Sequence, residues 1–151
     1  MNKNTSLHPF KLLESEIFVD KVTNKEDLDK ALSVRSIGYQ KYFANKTEIS
    51  DNYDISFHCI ILLATDPHGE PLGTIRLLDR RGGKIELDSF LNLDSLLPPD
   101  KHPVVEATRF CVPTHPSSKL IKQALWKAYY LYCRYNHIKS VNNPPLNGVP
   151  F

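Results

Sequence analysis

One segment of the sequence has the composition of a buried β-strand yet carries two charged side chains three residues apart. It spans residues 104–112 and places Glu106 and Arg109 among Val, Ala, Thr, Phe and Cys. Residues of this kind favour an enclosed pleated surface, where charged groups are rarely found without partners. Removing either ion from water costs several kcal/mol unless it is paired and hydrogen-bonded. The segment therefore predicts either charged groups used in catalysis or ligand binding, or a structural Glu–Arg pair at a strand edge.

Four further charged residues occur where the surrounding sequence is apolar or turn-forming. Arg35 lies in a predicted helix, and Arg76 lies in an apolar predicted strand. Asp51 and Asp54 lie in the polar loop that follows the helix. With the two charges of the first segment they make three cations and three carboxylates, which can satisfy one another as a network. Any one of them alone is unremarkable, since a helix arginine is more often solvated.

The elements that would position these residues follow from hydrophobic patterning and turn residues. The first half predicts a strand at 17–22, a helix starting near 23–27 and reaching about 45, and a β-hairpin of 58–65 and 72–78. The second half predicts a short strand at 84–87, a short helical or irregular segment at 90–97, the charged strand, a long helix after 117–118, and a short strand at 137–141. This order predicts a mixed sheet with helices on its faces, an α/β or α+β fold.

The amino-acid composition limits the classes of protein to which this chain can belong. The chain has 151 residues, enough for one domain, with 41% hydrophobic and 24% charged residues. A net charge of +2 is too small to indicate nucleic-acid binding. Three separated cysteines indicate free thiols in a reducing compartment, and no histidine pair has metal-ligand spacing. Without a signal peptide or a long apolar run, a cytoplasmic protein with no membrane span is expected.

The charged residues carry a resemblance to a known family. Its motifs are Arg35 followed by Asp51-x-x-Asp54, then Gly73-Thr74-x-Arg76-Leu77-Leu78, then Glu106-x-x-Arg109-Phe110. In this order they resemble the acyl-homoserine-lactone (autoinducer) synthases and the long-chain N-acyl amino acid synthases, both of the GNAT-type N-acyltransferase superfamily. The resemblance implies a GNAT-like mixed, mainly antiparallel sheet with helices on both faces. It divides the chain into an N-terminal arm at 1–14, an acyltransferase domain at 15–142 and an irregular tail at 143–151.

The resemblance also implies a reaction. A fatty acyl group would move from a thioester on acyl-carrier protein, or on coenzyme A, to the amine of an amino acid or related small molecule. Glu106 would act as general base, with Arg109 beside it. Backbone N–H groups near Phe110 and Cys111 would support the oxyanion. No permanently bound cofactor is expected, since the acyl thioester is a co-substrate.

The remaining implied roles concern substrate binding. The acceptor residues implied are Arg35, Tyr39, Asp51, Asp54 and Arg76, with Phe43 as a second aromatic candidate. The donor residues implied are Val112, Ser117 and Ser118. The guanidinium of Arg109 or Arg35 suits an acceptor carboxylate, since the planar fork binds it bidentately. The serines equally fit a simple helix-cap role. Three lysines of the long helix would meet an acidic carrier protein or form a solvated face: Lys119, Lys122 and Lys127.

Two departures from the family stand out. The turn at 113–118 lacks the glycines that cradle a pyrophosphate, which favours a carrier-protein donor. Few residues follow 141, so the family's last strands would be missing or replaced, and an unpaired sheet edge would favour a homodimer or strand exchange. Two alternative functions stay open: an acetyl-CoA-dependent small-molecule acetyltransferase, and a degenerate GNAT-like binding module without catalysis.

Overall fold

The computed structural model describes residues 16–40, 49–98 and 103–140. The elements in chain order are β1 (Phe18–Lys21), α1 (Lys25–Gln40), a 3-10 helix (Asn52–Ile55), β2 (Cys59–Thr65), β3 (Pro71–Asp79), a second 3-10 helix (Glu86–Ser89), α2 (Leu93–Leu96), β4 (Val105–Cys111) and α3 (Ser118–Ser140). The predicted arm at 1–14 and tail at 143–151 lie outside the described residues. The same holds for the predicted end of the first helix beyond 40.

The four strands form one antiparallel sheet in the order β1-β2-β3-β4, so each strand pairs with its neighbour in the chain. The β2–β3 turn is closed by Asp66, whose carboxylate accepts from the backbone N–H groups of His68 and Glu70 at 2.8 and 3.0 Å. Gly69 supplies the positive φ of 82° that this turn requires. The predicted hairpin is confirmed. Among the strands described here, β4 is an edge strand.

Helix α3 covers one face of the sheet. Ile75 and Leu77 of β3 are fully buried with Ile121 and Leu125 of α3 in the largest apolar cluster. A Cβ at Gly73 would lie 2.9 Å from Ile121 and 3.1 Å from Leu125. Glycine at this position therefore allows α3 to pack directly on β3.

Helix α1 covers the opposite face. Ala31 of α1 is buried against Ile61 and Leu63 of β2. At the other end of the helix, a Cβ at Gly38 would overlap the Cys111 sulfur of β4. The close approach of α1 to β4 at this point encloses the space in which the charged side chains meet.

Two predicted strands are wrong. Residues 84–87 were expected to form a strand, but the chain forms the 3-10 helix Glu86–Ser89. The backbone N–H groups of Ile85 and Glu86 donate to the carboxylates of Asp88 and Glu106, not to a neighbouring strand. Residues 137–141 were expected to form another strand, but α3 continues to Ser140, because extending a helix that is already formed is easier than starting a new element. Residue 141 lies outside the described residues. The four described strands are all antiparallel, in line with the expected mixed, mainly antiparallel sheet.

The fold class is α+β, with a four-stranded antiparallel sheet between helices on both faces, as a GNAT-like fold requires. The expectation of a mainly antiparallel sheet with helices on both faces is confirmed.

Candidate active site

The site is built around Arg76, which is fully buried on the α1 face of β3. Its neighbours Ile75 and Leu77 face α3, so strand alternation sends the guanidinium to the other side. There it is surrounded by hydrogen-bond acceptors, which are Asp51 at 2.5 Å, Asp54 at 3.1 Å, Glu86, and Thr108 of the neighbouring strand at 2.9 Å. Burial lowers the pKa of Arg76, but the bonds to the aspartates outweigh this and raise it further above its usual value. Arg76 therefore stays charged inside the protein.

The spacing of Asp51 and Asp54 reflects a capping box. The Asp51 carboxylate accepts from Tyr53 N at 3.0 Å, while the Asp54 carboxylate accepts from Asp51 N at 3.0 Å. These bonds fold residues 52–55 into a single 3-10 turn and direct both carboxylates at Arg76. The Arg76 guanidinium also lies 5.5 Å from the centre of the Tyr53 ring.

Arg35 lies behind this turn, fully buried in α1. Its Nη1 donates to both oxygens of Asp54 at 3.0 and 2.9 Å and to the carbonyl of Ile49 at 3.1 Å. Its Nε and Nη2 are buried and have no hydrogen-bond partner among the residues that the structure describes. The guanidinium is therefore enclosed in the protein and fixes Asp54, and an acceptor-binding role for Arg35 stays a prediction.

Arg109 reaches the network through a β-bulge. Between the pairs Arg76–Thr108 and Thr74–Cys111, two residues of β4 oppose one residue of β3, and Arg109 takes a φ of 50°. Its Nη2 donates to Asp51 at 2.7 Å. The bulge therefore lets consecutive residues, Thr108 and Arg109, both contact the charged network.

The sequence-predicted Tyr39 also belongs to this neighbourhood. Burial lowers the pKa of Arg109, but hydrogen bonds with Asp51 and Tyr39 outweigh it and raise the pKa above its usual value. Burial raises the pKa of Asp51 in turn, yet the bonds from Arg76 and Arg109 lower it to about 2. Asp51, Arg76 and Arg109 therefore all stay charged at neutral pH.

Glu106 lies on the same face of β4 as Thr108 and is half-buried. Its Oε2 accepts from the backbone N–H groups of Glu86 at 2.7 Å and Leu87 at 3.4 Å. Burial raises its pKa above the usual value, and the neighbouring Glu86 carboxylate adds to this. Within the described residues Glu106 and Arg109 are not paired with each other, because Arg109 is bound to Asp51.

The predicted oxyanion residues Phe110 and Cys111 lie in and just after the bulge, and the predicted donor residues follow them in the chain. Phe110 turns to the α3 side and packs 5.1 Å from the Trp126 ring, while the Cys111 thiol is buried under α1, where burial raises its pKa. The Ser118 hydroxyl accepts from His115 N at 3.0 Å and donates to His115 O at 2.7 Å, so it closes the turn before α3. Val112 is partly buried against the α3 core. The remaining donor candidate, Ser117, is half-buried in the same turn.

Sequence reasoning missed two members of the network. Thr108 follows Glu106 by two residues, so strand alternation alone would have placed it on the same face. Glu86 lies in a segment that was expected to be a strand, and nothing in its local sequence indicates a partner 10 residues away.

A depression of about 290 Å³ opens beside the network. Its lining residues are Asp51, Asn52, Tyr53, Glu86, Ser89 and Phe90.

The comparisons with known proteins bear on the fold that carries this charged cluster. No family model matches the chain, and no curated protein matches its sequence significantly. Among solved structures, FeeM, an N-acyl amino acid synthase from uncultured soil microbes, is similar with a TM-score of 0.67 and 12% sequence identity. The similarity covers 83% of this chain and 69% of FeeM. It shows that the two proteins share a fold.

Two general features of the described residues complete the picture. No helix among them combines the length and the apolar composition needed to cross a bilayer. Nor do three or more of their His, Cys, Asp or Glu side chains come together in a way that would hold a metal ion.

Proposed function

We propose that the protein is an N-acyltransferase. It transfers a fatty acyl group from an acyl-carrier-protein or coenzyme A thioester to the amine of an amino acid or related small molecule. The observation that carries the proposal is the half-buried carboxylate of Glu106, with a raised pKa, on the edge strand of a fold shared with an N-acyl amino acid synthase.

The position of Glu106 supports a role as base. A carboxylate with a raised pKa is a stronger proton acceptor than an exposed glutamate, and a positioned base contributes about 10²–10⁴-fold to a rate. An ammonium group cannot attack a carbonyl, so Glu106 first takes one proton from it, directly or through water. The amine nitrogen then forms a bond to the thioester carbon.

The geometry of β4 supports binding of the donor. On its outer side the strand pairs with no other described strand, so backbone N–H and C=O groups there are available to an extended thioester arm. N–H groups of the bulge, near Phe110 and Cys111, would stabilise the oxyanion of the tetrahedral intermediate. When the intermediate collapses, the carbon–sulfur bond breaks and the thiol leaves. The net products are an amide, a thiol and one proton from the original ammonium.

The test exchanges Glu106 for glutamine. In Glu106→Gln the side-chain carbonyl still accepts from Glu86 N, so the fold is retained, but the group can no longer take a proton. We expect loss of at least about 100-fold in acyl transfer, measured by mass spectrometry of N-acylated amines formed from acyl-carrier protein or acyl-CoA. Glu70→Gln, an exposed position in the β2–β3 turn, is the matched control and should keep full activity. Full activity of Glu106→Gln would overturn the proposal.

One observation favours a second candidate, a binding module without catalysis. The Glu106 carboxylate already binds the first N–H groups of the 3-10 helix Glu86–Ser89, a role that needs no reaction. For such a module, no N-acylated product would form with either donor and the wild-type protein.

A further inference from the structure

The arginines of the charged network are already bound to carboxylates of the protein. Arg35 is paired with Asp54, Arg76 with both aspartates of the turn and with Glu86, and Arg109 with Asp51. Every guanidinium nitrogen of Arg76 is already bonded to a protein acceptor, and the two unpartnered nitrogens of Arg35 are buried, so neither arginine can bind the carboxylate of a ligand without rearrangement. The network is therefore poorly suited to hold an acceptor by its acid group.

The depression beside the network has the opposite charge character. Its lining includes the carboxylates of Asp51 and Glu86, whose side chains are 18% and 32% exposed, and no Lys, Arg or His is among the lining residues that the structure describes. Within the described residues, the network has three arginines against four carboxylates once Glu106 is counted. A cation entering the depression meets this excess negative charge, whereas an anion is repelled.

Aromatic side chains provide an independent indication. Phe90 is 81% exposed at the rim of the depression, and the Tyr53 ring lies in its wall. An aromatic ring next to carboxylates suits an organic cation, because the ring face attracts the charge while the ring also covers apolar carbon. The volume of about 290 Å³ is close to the lower end of small-ligand pockets, which starts at ~300 Å³.

We propose that this depression, referred to below as the acceptor pocket, binds a primary ammonium with an apolar substituent and no carboxylate. The ammonium lies against Glu86 and Asp51, and the substituent lies against Phe90. This inference rests on the proposed N-acyltransferase function and names its acceptor class. The backbone of Glu86 is hydrogen-bonded to Glu106, so an ammonium held at Glu86 is next to the proposed base.

Three ligands with one phenyl ring test the inference by titration calorimetry on the whole protein. Phenethylamine is a cation, phenylalanine adds a carboxylate, and 2-phenylethanol has no charge. We expect phenethylamine to bind at least about 10-fold more tightly than either of the others, a difference of about 1.4 kcal/mol. Equal or tighter binding of phenylalanine or 2-phenylethanol, or no binding of phenethylamine, would overturn the inference.

Substitutions in the acceptor pocket test whether phenethylamine binds there. Glu86→Gln should weaken phenethylamine binding at least about fivefold, whereas the exposed Glu70→Gln should leave it unchanged. Phe90→Ala removes an exposed ring, so it should weaken binding without lowering the unfolding temperature. If the Glu86 and Phe90 variants bind phenethylamine as the wild type does, the acceptor pocket is not the binding site.

Acyl transfer to the same compounds separates the inference from the proposed function. N-acylation of phenylalanine in preference to phenethylamine would retain the acyltransferase and overturn the acceptor class. Tight phenethylamine binding with no acylation from either donor would retain the acceptor pocket and overturn the acyltransferase.

Discussion

Glu106 combines two roles that are usually separate. Its carboxylate caps the N-terminus of the 3-10 helix Glu86–Ser89, and it also has the raised pKa of a candidate base. Hydrogen bonds from two backbone N–H groups lower the pKa of Glu106. Burial and the nearby Glu86 carboxylate raise the pKa, and their effect is the larger one. Its proton affinity therefore depends on a neighbour that can be changed without touching Glu106 itself.

That dependence gives a prediction. In Glu86→Gln a negative charge is removed next to Glu106, so the pKa of Glu106 should fall toward its usual value of 4.5. The carboxyl ¹³C shift of Glu106 followed by NMR from pH 3 to 8 measures this directly. We expect a wild-type midpoint above 4.5 and a lower midpoint in the variant, with no change in Glu70→Gln. An unchanged midpoint in Glu86→Gln would show that the Glu86 charge does not act on Glu106.

At this scale the sequence indicated which charges matter but not how they pair. Arg76 in an apolar strand and Asp51 in a turn were identifiable because their residue types conflict with their surroundings. The structural Glu106–Arg109 pair, one of the two interpretations of residues 104–112, does not form, because Arg109 lies in the bulge and is bound to Asp51. A bulge of this kind leaves little trace in a strand composed of favourable β residues.

At the scale of elements, the bulge in β4 carries backbone strain that a substitution can reveal. Arg109 has a φ of 50°, a left-handed conformation that costs a residue with a Cβ about 1–2 kcal/mol. Both Arg109→Ala and Arg109→Gly lose the ion pair with Asp51, but only glycine relieves the strain. We expect Arg109→Gly to be more stable than Arg109→Ala by about 1 kcal/mol in urea unfolding.

The comparison has an internal control, because glycine in an ordinary strand position is less stable than alanine by about 0.5–1 kcal/mol. The same pair of substitutions at Val105, at the start of β4, should show that usual order. If alanine is also the more stable residue at position 109, the left-handed conformation is not maintained in solution.

Elements whose ends are capped by residues of the same short segment could be predicted from the sequence, whereas an element capped by a residue far along the chain could not. The β2–β3 hairpin follows from Asp66 and Gly69 within its own turn. The 3-10 helix Glu86–Ser89 is capped in part by Glu106, which lies 20 residues further along the chain. Because this cap is absent from the local sequence, residues 84–87 show only a short apolar pattern that also fits a strand. The end of α3 was misassigned for a different reason, since only Ile138 among residues 137–140 is β-branched, a weak strand signal against the extension of a 23-residue helix.

At the scale of the whole molecule, the charged network joins α1, the 52–55 turn, β3 and β4 into one unit. Asp51 connects the 52–55 turn with both strands by binding Arg76 and Arg109. The folded protein therefore depends on the ionisation of aspartates that hold these elements together.

The sign of the resulting pH dependence follows from the pKa of Asp51, which is about 2 in the folded protein against 3.8 for the free side chain. Below 3.8 the unfolded chain binds a proton that the folded protein does not, so stability falls as the pH falls from 3.8 toward 2. The shift corresponds to about 2 kcal/mol, present in full above pH 3.8. Asp54 and Asp79 have lowered pKa values and contribute in the same direction.

Asp51→Asn should therefore unfold more easily at pH 7 yet lose less stability on acidification than the wild type. Urea unfolding at pH 7 and pH 2.5 measures both, and we expect the difference between the two pH values to shrink by about 2 kcal/mol. Asp29→Asn, an exposed change on α1, is the matched control and should leave it unchanged. If Asp51→Asn loses as much stability in acid as the wild type, the aspartate is not held ionised by the two arginines.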